Sequence, residues 1–479
     1  MGGELRAAGA DAGRTPPTLT TVHRTVVLNV VGLTPELIGP ATPALQYLAK
    51  KGALRPLTTV LPAVTCAVQS TFLTGLLPRD HGAVANGWYF RDLSEVRLWR
   101  QSNRLVSGEK LWETARRKDP GFTCANLFWW YNMYGTVDLS VTPRPIYCAD
   151  GLKIPDIYSE PSGLRQELTE RLGPFPLFNF WGPAAGIRSS QWIASAARHV
   201  YDTYRPTLTL VYLPHLDYSL QKLGPHDPRL QEDLKALDAL CGDLIAHVRK
   251  DGVRVIVLSE YGVTPVVGAV PINRILRQAG LLRVREEVGT EKLDAGASEA
   301  FAVADHQVAH VYVKDRARVL TVKALLEKVE GIAQVLDDEG KRQTGLDHPR
   351  SGELVAIAKP DRWFSYYYWL DDRAAPDFAR TVDIHRKPGY DPVELFVDPS
   401  LKFPQARVAW RLLQKTLGFR YLMDVIPLDP SLVKGSHGCL PETPDTGPVI
   451  ISSEDDRLPP DTVSACEVKD LILAHVFGP

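Results

Sequence analysis

A threonine at the mouth of a helix, with an asparagine a short turn beyond it, is the first place in this 479-residue chain where chemistry could occur. Residues 61–90 read LPAVTCAVQSTFLTGLLPRDHGAVANGWYF. From Thr65 to Thr74 small and apolar residues recur with a helical rhythm, and Gly75 and Pro78 stop it. A hydroxyl in the first turn sits where unpaired N–H groups and the helix dipole favour negative charge. That position suits a hydroxyl that ionises, attacks and works beside an anion such as phosphate. Asn86, beyond the PRDHG turn, can return a side-chain amide to the same spot and donate to an oxyanion. The competing reading makes Thr65 an ordinary helix N-cap. Local sequence leaves both open.

Those two residues need rigid elements to hold them. RTVVLNVVG (24–32) is a continuous apolar run closed by glycine, the pattern of a strand buried on both faces of a parallel sheet. FTCANLFWW (122–130), TLTLVYL (207–213) and GVRVIVLSEYG (252–262) repeat it, and GPVIISS (447–453) adds another core strand. Helical patterns fall over 42–51, 108–118, 162–172, 189–204 and 228–250, and EVKDLILAHVF closes the chain as an amphipathic helix. Strands alternating with helices predict an α/β doubly wound sheet, with ligands bound beyond the carboxyl ends of the strands. Residues 301–313 read as one strand, 320–330 as a helix, and 345–400 as a stretch rich in Pro, Asp and aromatics. The expected organisation is a disordered tail over 1–22, a core from 23–267 and 401–479, and sheet-edge elements with a smaller inserted cap over 268–400.

Composition sets outer bounds. A 44 % hydrophobic and 23 % charged chain is ordinary for a soluble globular protein. Net charge −1 lacks the basic excess of a general binder of nucleic-acid polymers. Cysteines 66, 124, 148, 241, 439 and 466 form no C-x-x-C pair. Neither a cysteine zinc site nor a disulfide framework is expected, and a reducing, cytoplasmic setting is. No apolar run reaches 18 residues, so no membrane span and no membrane partner are expected.

The 61–90 stretch resembles the nucleotide pyrophosphatase/phosphodiesterase family of the alkaline phosphatase superfamily. There a threonine nucleophile opens a helix, a T-G-x-x-P-x-x-H-G turn follows, and an asparagine sits beyond it. Thr74, Gly75, Pro78, His81, Gly82 and Asn86 fall in step with that pattern. The resemblance implies an alkaline-phosphatase-like fold, with a central, mostly parallel sheet covered by helices on both faces. It also implies a two-metal site, usually zinc, at the strand ends, and a phosphoryl-threonine intermediate. Thr65 would be the nucleophile and Asn86 the oxyanion donor. Two divalent cations about 4 Å apart bind the attacking and leaving oxygens together. Asp217, in PHLDYSLQKLGP, matches the family's metal aspartate, with Gly224 and Pro225 in register. His437, in GSHG, matches its G-x-H-G histidine, and Glu260 stands where the family has the aspartate of S-D-H-G. His81 falls to a supporting role in the turn.

Three departures stand against this pattern. Val31 occupies the place of an aspartate, and Gln221 and Tyr261 the places of two histidines. Asn29 lies two residues before Val31, on the same strand face, as a neutral substitute. Other replacement ligands are Gln221 itself, Asp305, His306 and His310 in ADHQVAH, and Asp383 and His385 in VDIHRKPGYDP. The competing reading of these last two clusters is a salt-bridged cap surface. A site richer in oxygen and amide ligands would shift the metal from Zn²⁺ toward Mn²⁺ or Mg²⁺. Arg386 and Lys387 could hold a second phosphate, and the aromatics of 86–90 and 128–134 either stack on a base or pack the core. The expected activity is metal-dependent cleavage of a phosphodiester or pyrophosphate bond in a phosphorylated, nucleotide-type small molecule. One alternative is an inactive relative that binds such a molecule. The other is a phosphomonoesterase or phosphomutase of the same superfamily. Leaving group and oligomeric state are not legible.

Overall fold

A computed structural model describes residues 21–149 and 152–478. The expected tail over 1–22 lies almost wholly outside the described residues. The strands Thr25–Val30, Leu208–Leu213 and Arg254–Leu258 are buried along their whole length, as their unbroken apolar sequences require. They form the centre of a nine-stranded sheet. From edge to edge its order is Val463–Ser464, Ala53–Thr58, Val449–Ser452, Arg254–Leu258, Thr25–Val30, Leu208–Leu213, Cys124–Leu127, Leu139–Pro143 and Ile157–Glu160. Val449–Ser452 runs antiparallel to both neighbours, as does Ile157–Glu160 to its one neighbour, and the other pairs are parallel. Asn29 pairs in register with Tyr212 on one side and Leu258 on the other. The three central strands therefore end at one level, and the chain leaving each arrives at one place.

Helices cover the sheet in two groups. Pro43–Lys51, Ile187–Tyr204, His215–Leu223 and Leu230–Arg249 pack together, and Thr65–Thr74, Leu111–Lys118 and Val468–Phe477 form the other group. All ten residues of Thr65–Thr74 are buried, which its mostly small and apolar sequence permits. Among the described residues no helix is long and apolar enough to cross a membrane.

Two expected strands are corrected. Residues 301–313 form a hairpin, Ala300–Asp305 and Val308–Val313, turning at His306 and Gln307 with His306 at φ +57°. A single strand would have carried Asp305, His306 and Gln307 through an apolar layer, whereas the turn lets them reach polar partners. The hairpin joins Leu354–Ala358 and Ile332–Leu336 in a four-stranded antiparallel sheet with its own apolar core. The 122–130 strand shrinks to Cys124–Leu127 because the backbone turns left-handed at Phe128. The helix His215–Leu223, which carries Asp217, and the helix Pro404–Thr416 were not anticipated.

Two helices of the first group, Pro43–Lys51 and Leu230–Arg249, are joined by a buried carboxylate. Asp238, on Leu230–Arg249, accepts the Ala44 and Leu45 backbone N–H groups at 2.9 Å each. These are orphan donors of the Pro43–Lys51 helix. Asp238→Ala should lower unfolding stability by about 2–3 kcal/mol, read as a shift in the urea midpoint. An unchanged midpoint would remove this contact from the account of the fold.

Candidate active site

Thr65 is the first residue of its helix, but Val64 is the N-cap and its own side chain makes no capping bond. The N-cap reading of Thr65 therefore fails. Its hydroxyl lies 3.1 Å from the Tyr261 hydroxyl instead. Capping comes from across the chain, where the Cys66 N–H donates to Asn86 Oδ1 at 3.0 Å. That bond fixes which way the amide points. Asn86 Nδ2 then donates to Asp305 Oδ1 at 3.1 Å, and the Asn86 backbone N–H to Asp305 Oδ2 at 2.8 Å. One amide N–H remains for an oxyanion.

Glu260, just beyond the Arg254–Leu258 strand, accepts two short bonds on Oε1, from Asn29 Nδ2 and Gln69 Nε2 at 2.6 Å each. Gln69 lies one helical turn beyond Thr65 on the same face. Burial pushes the Glu260 carboxyl up to about 8, opposed by hydrogen bonds from Gln69, Asn29 and Thr65. Asp217 Oδ2 accepts from Gln221 Nε2 at 2.7 Å, and burial pushes its carboxyl up to about 7. His437 Nδ1–H donates to the Ala63 carbonyl at 2.8 Å, which turns a bare Nε2 toward Asp217 Oδ1 at 3.8 Å. Gly435 allows that approach: a Cβ there would meet the Leu220 carbonyl oxygen at 2.3 Å, on the helix that bears Asp217. Burial lowers His437 to about 3, and raises Asp305 to about 7.

His306 is brought to this cluster. Its ring lies between His437, at 3.6 Å between centroids, and Tyr390, at 3.8 Å. Tyr390 in turn donates to Gln221 Oε1 at 2.8 Å, so the carbonyl of that amide is already occupied. Asp383 and His385 are not replacement ligands here. Asp383 is paired with Arg386 at 2.5 Å, and His385 lies exposed beside it. Lys387 is buried between Asp391 and Glu394, at 2.7 Å from each, and does not offer a phosphate its charge. His310 bridges the Val84 carbonyl and the Gly352 N–H, and His81 bridges Thr71 and the Ala83 N–H, so both are structural. Trp88, Phe128, Trp129 and Trp130 pack in the core.

The donor set is incomplete for the two-cation site that the resemblance implies. Asp217 Oδ1 and His437 Nε2 face each other, both buried and without a hydrogen-bond partner, which is the unmet valence a single cation takes up. At the second position Glu260 Oε2 and Asn29 Oδ1 are also unpartnered, but the other donors are gone. Tyr261 stacks its ring on His437 at 3.6 Å in place of a second imidazole, and Val31 supplies no donor. Among the described residues no group of three or more His, Cys, Asp or Glu is disposed to hold a metal ion. Gln69 and Tyr390 escaped the sequence reading. Only Gln69 carried a signal, its spacing from Thr65.

A mostly parallel sheet whose carboxyl-end loops gather a helix-borne hydroxyl, carboxyls and a histidine is an alkaline-phosphatase-like hydrolase architecture. The chain belongs to the type I phosphodiesterase/nucleotide pyrophosphatase family, whose model matches residues 25–391. The members of that family are hydrolases, generally metal-dependent. Over 235 residues the chain is 26 % identical to an uncharacterized pyrophosphatase/phosphodiesterase of Schizosaccharomyces pombe. That match spans 47 % of this chain and 41 % of the relative, about two fifths of its length. In fold the chain is similar to the phosphonoacetate hydrolase of Sinorhizobium meliloti 1021 in complex with phosphonoformate. The TM-score is 0.61 and the identity 14 %, over 95 % of this chain and 96 % of that one. It is also similar to an inactive variant of murine ectonucleotide pyrophosphatase/phosphodiesterase 5 in complex with AMP. There the TM-score is 0.57 and the identity 13 %, over 95 % of each chain. At such identities the likeness is one of fold.

The perturbed carboxyls set a pH dependence. Folded Asp217, Asp305 and Glu260 keep protons at pH values where the unfolded chain has released them. Their contribution to stability is complete below the ordinary carboxylate range and is lost as pH rises through about 7 to 8. The buried neutral histidines His437, His306 and His81 act oppositely, losing stability only as pH falls below their ordinary value of 6.5. The thermal midpoint in chelator should therefore fall from about pH 6.5 to about pH 8.5, and a divalent cation that replaces the protons should flatten the fall. A midpoint that climbs across this window in chelator would contradict the assignment of these groups as buried, uncompensated acids.

Proposed function

We propose that the chain hydrolyses a phosphodiester or pyrophosphate bond of a nucleotide-type small molecule, with Thr65 as the attacking hydroxyl. The observation that carries this reading is the setting of Thr65 Oγ1. It opens a buried helix, does not cap it, and lies against Tyr261 with Glu260 beside it. In the first step Thr65 Oγ1 bonds to phosphorus, the leaving oxygen departs with its electron pair, and the threonine proton passes to Glu260, which accepts it once its own carboxyl has ionised, around and above pH 8. The free N–H of Asn86 donates to the oxygen on which charge builds. Asp305 holds that amide in place through its two bonds. Water then bonds to phosphorus as the P–Oγ1 bond breaks, Glu260 returns its proton to Thr65 Oγ1, and the proton lost by water leaves on the phosphate product or to solvent. Asp217 and His437 would hold a divalent cation, zinc from the family or manganese or magnesium by ligand type, which supplies positive charge to a phosphoryl oxygen when bound. The unpaired cysteines support a reducing, cytoplasmic setting.

A second reading, a relative that binds a phosphorylated small molecule without turning it over, is favoured by the closure of the site. Thr65 is only 3 % exposed, and the Tyr261–His437–His306–Tyr390 rings fill the space beside it.

Turnover of the p-nitrophenyl ester of thymidine monophosphate, against p-nitrophenyl phosphate, separates these readings. Zn²⁺, Mn²⁺, Mg²⁺ and chelator should be compared. We expect cation-dependent cleavage of the diester that falls at least about a thousandfold in Thr65→Ala and persists in part in Thr65→Ser. Saturable AMP binding by calorimetry with no turnover under any cation would favour the binder. Preference for the monoester would move the activity to a phosphomonoesterase.

A further inference from the structure

The helix Pro404–Thr416 is mounted inside out. Two of its arginines lie on its half-buried side: Arg407 and Arg411 both pair with Asp424, Arg411 Nε at 3.1 Å. Of its apolar side chains only Val408 packs inward, against the cluster of Val266, Trp363, Val393, Val425, Ile426 and Val433. The helix buries none of its residues. Its outward face carries Ala406, Ala409, Trp410 and Leu413, at the three- and four-residue spacing of a single helical stripe. Leu417 continues the stripe, and Phe403 and Phe419 close its ends. Phe403 is 76 % exposed, Trp410 56 % and Leu417 62 %. Scattered exposed apolar residues need no explanation, but a contiguous stripe of them does.

We propose that this face lies on an anionic lipid bilayer as an interfacial anchor. Charge complementarity identifies the occupant. Residues 399–423 contain Lys402, Arg407, Arg411, Lys415 and Arg420 and no Asp or Glu, in a chain of net charge −1. With Arg407 and Arg411 tied to Asp424, the remaining three sit beside the apolar stripe, Lys402 and Arg420 exposed at its two ends. Basic residues bordering Trp, Phe and Leu are the composition of helices that rest in the headgroup region. Geometry favours a plane over a protein groove. The inner face is fastened to the body, so a partner cannot wrap the helix and meets only one convex side. The anchor lies on the membrane without crossing it, which departs from the expectation of no membrane partner.

Co-sedimentation of the full chain with vesicles tests this. Phosphatidylcholine alone should be compared with phosphatidylcholine containing one third phosphatidylserine, at low and at physiological salt. Binding should be confined to the anionic vesicles, weaken with salt, and fall about fivefold for each of Lys402→Ala and Arg420→Ala. The double change Trp410→Glu with Leu413→Glu should abolish it while leaving the circular dichroism melt unchanged. The proposal is overturned if the wild type ignores anionic vesicles, or if that double variant binds them equally well. It is also overturned if light scattering finds a dimer that the double variant dissociates while no vesicle binding occurs, since the face would then belong to a second copy.

Discussion

Glu260 is sealed from water at the end of a central strand, and its surroundings follow from what can meet a carboxyl there. An uncompensated carboxylate in such a place costs several kcal/mol. In a two-cation site, metal charge removes that cost. Here two neutral amides, Asn29 and Gln69, donate to one oxygen, and among the described residues no positive side chain approaches by hydrogen bond or ion pair. Neutral donors stabilise the anion less than a cation does, so the group holds its proton into the neutral range. Asp217 and Asp305 stand under the same constraint, each with amide donors as partners.

The second feature of the site is a run of stacked rings. Tyr261 lies flat on His437, His437 meets His306, and His306 meets Tyr390. The first two rings belong to the core and the other two to the hairpin turn and the loop near residue 390. The four-stranded sheet is thereby seated directly over Thr65, and the Asn86–Asp305 bonds fasten the same turn from the other side. The left-handed backbone of His306 marks the tight bend that carries its ring into this stack.

Much of this was legible in the chain. Buried parallel strands announce themselves as unbroken apolar runs, because both faces of each must be covered. Local turn chemistry placed Thr65, Asn86 and the supporting His81 through Gly75, Pro78 and Gly82. Asp217, Glu260 and His437 converge because each follows directly on an element of the core. What failed to read shares a different cause. Asp383 and Lys387 have the residue types of a site, but charges a few residues away take them up, Arg386 for Asp383 and Asp391 and Glu394 for Lys387. His385 is left exposed. Residue type alone does not say which neighbour a charge pairs with. Ala53–Thr58 has mixed burial and a proline, so its pattern is not that of a strand until its neighbours are present. The Pro404–Thr416 helix has clear periodicity, yet periodicity alone does not say which face turns inward.

The substitutions around the second cation position form one co-adapted set. Val31→Asp alone would bury another carboxyl close to Glu260, with no cation to offset the repulsion. Tyr261→His alone would remove the hydroxyl that meets Thr65 and the large ring that stacks on His437. Asn29 and Gln69 each give a hydrogen bond to Glu260 that a metal-bound carboxylate would not need. Each residue is tolerable because the others are present, which is how a hydrogen-bonded polar core behaves. One position, between Asp217 and His437, remains outside that closed network. There a carboxylate oxygen and an imidazole nitrogen face the same gap, both buried and without a hydrogen-bond partner among the described residues, so the unmet polar valence of the site is concentrated on that side of Thr65.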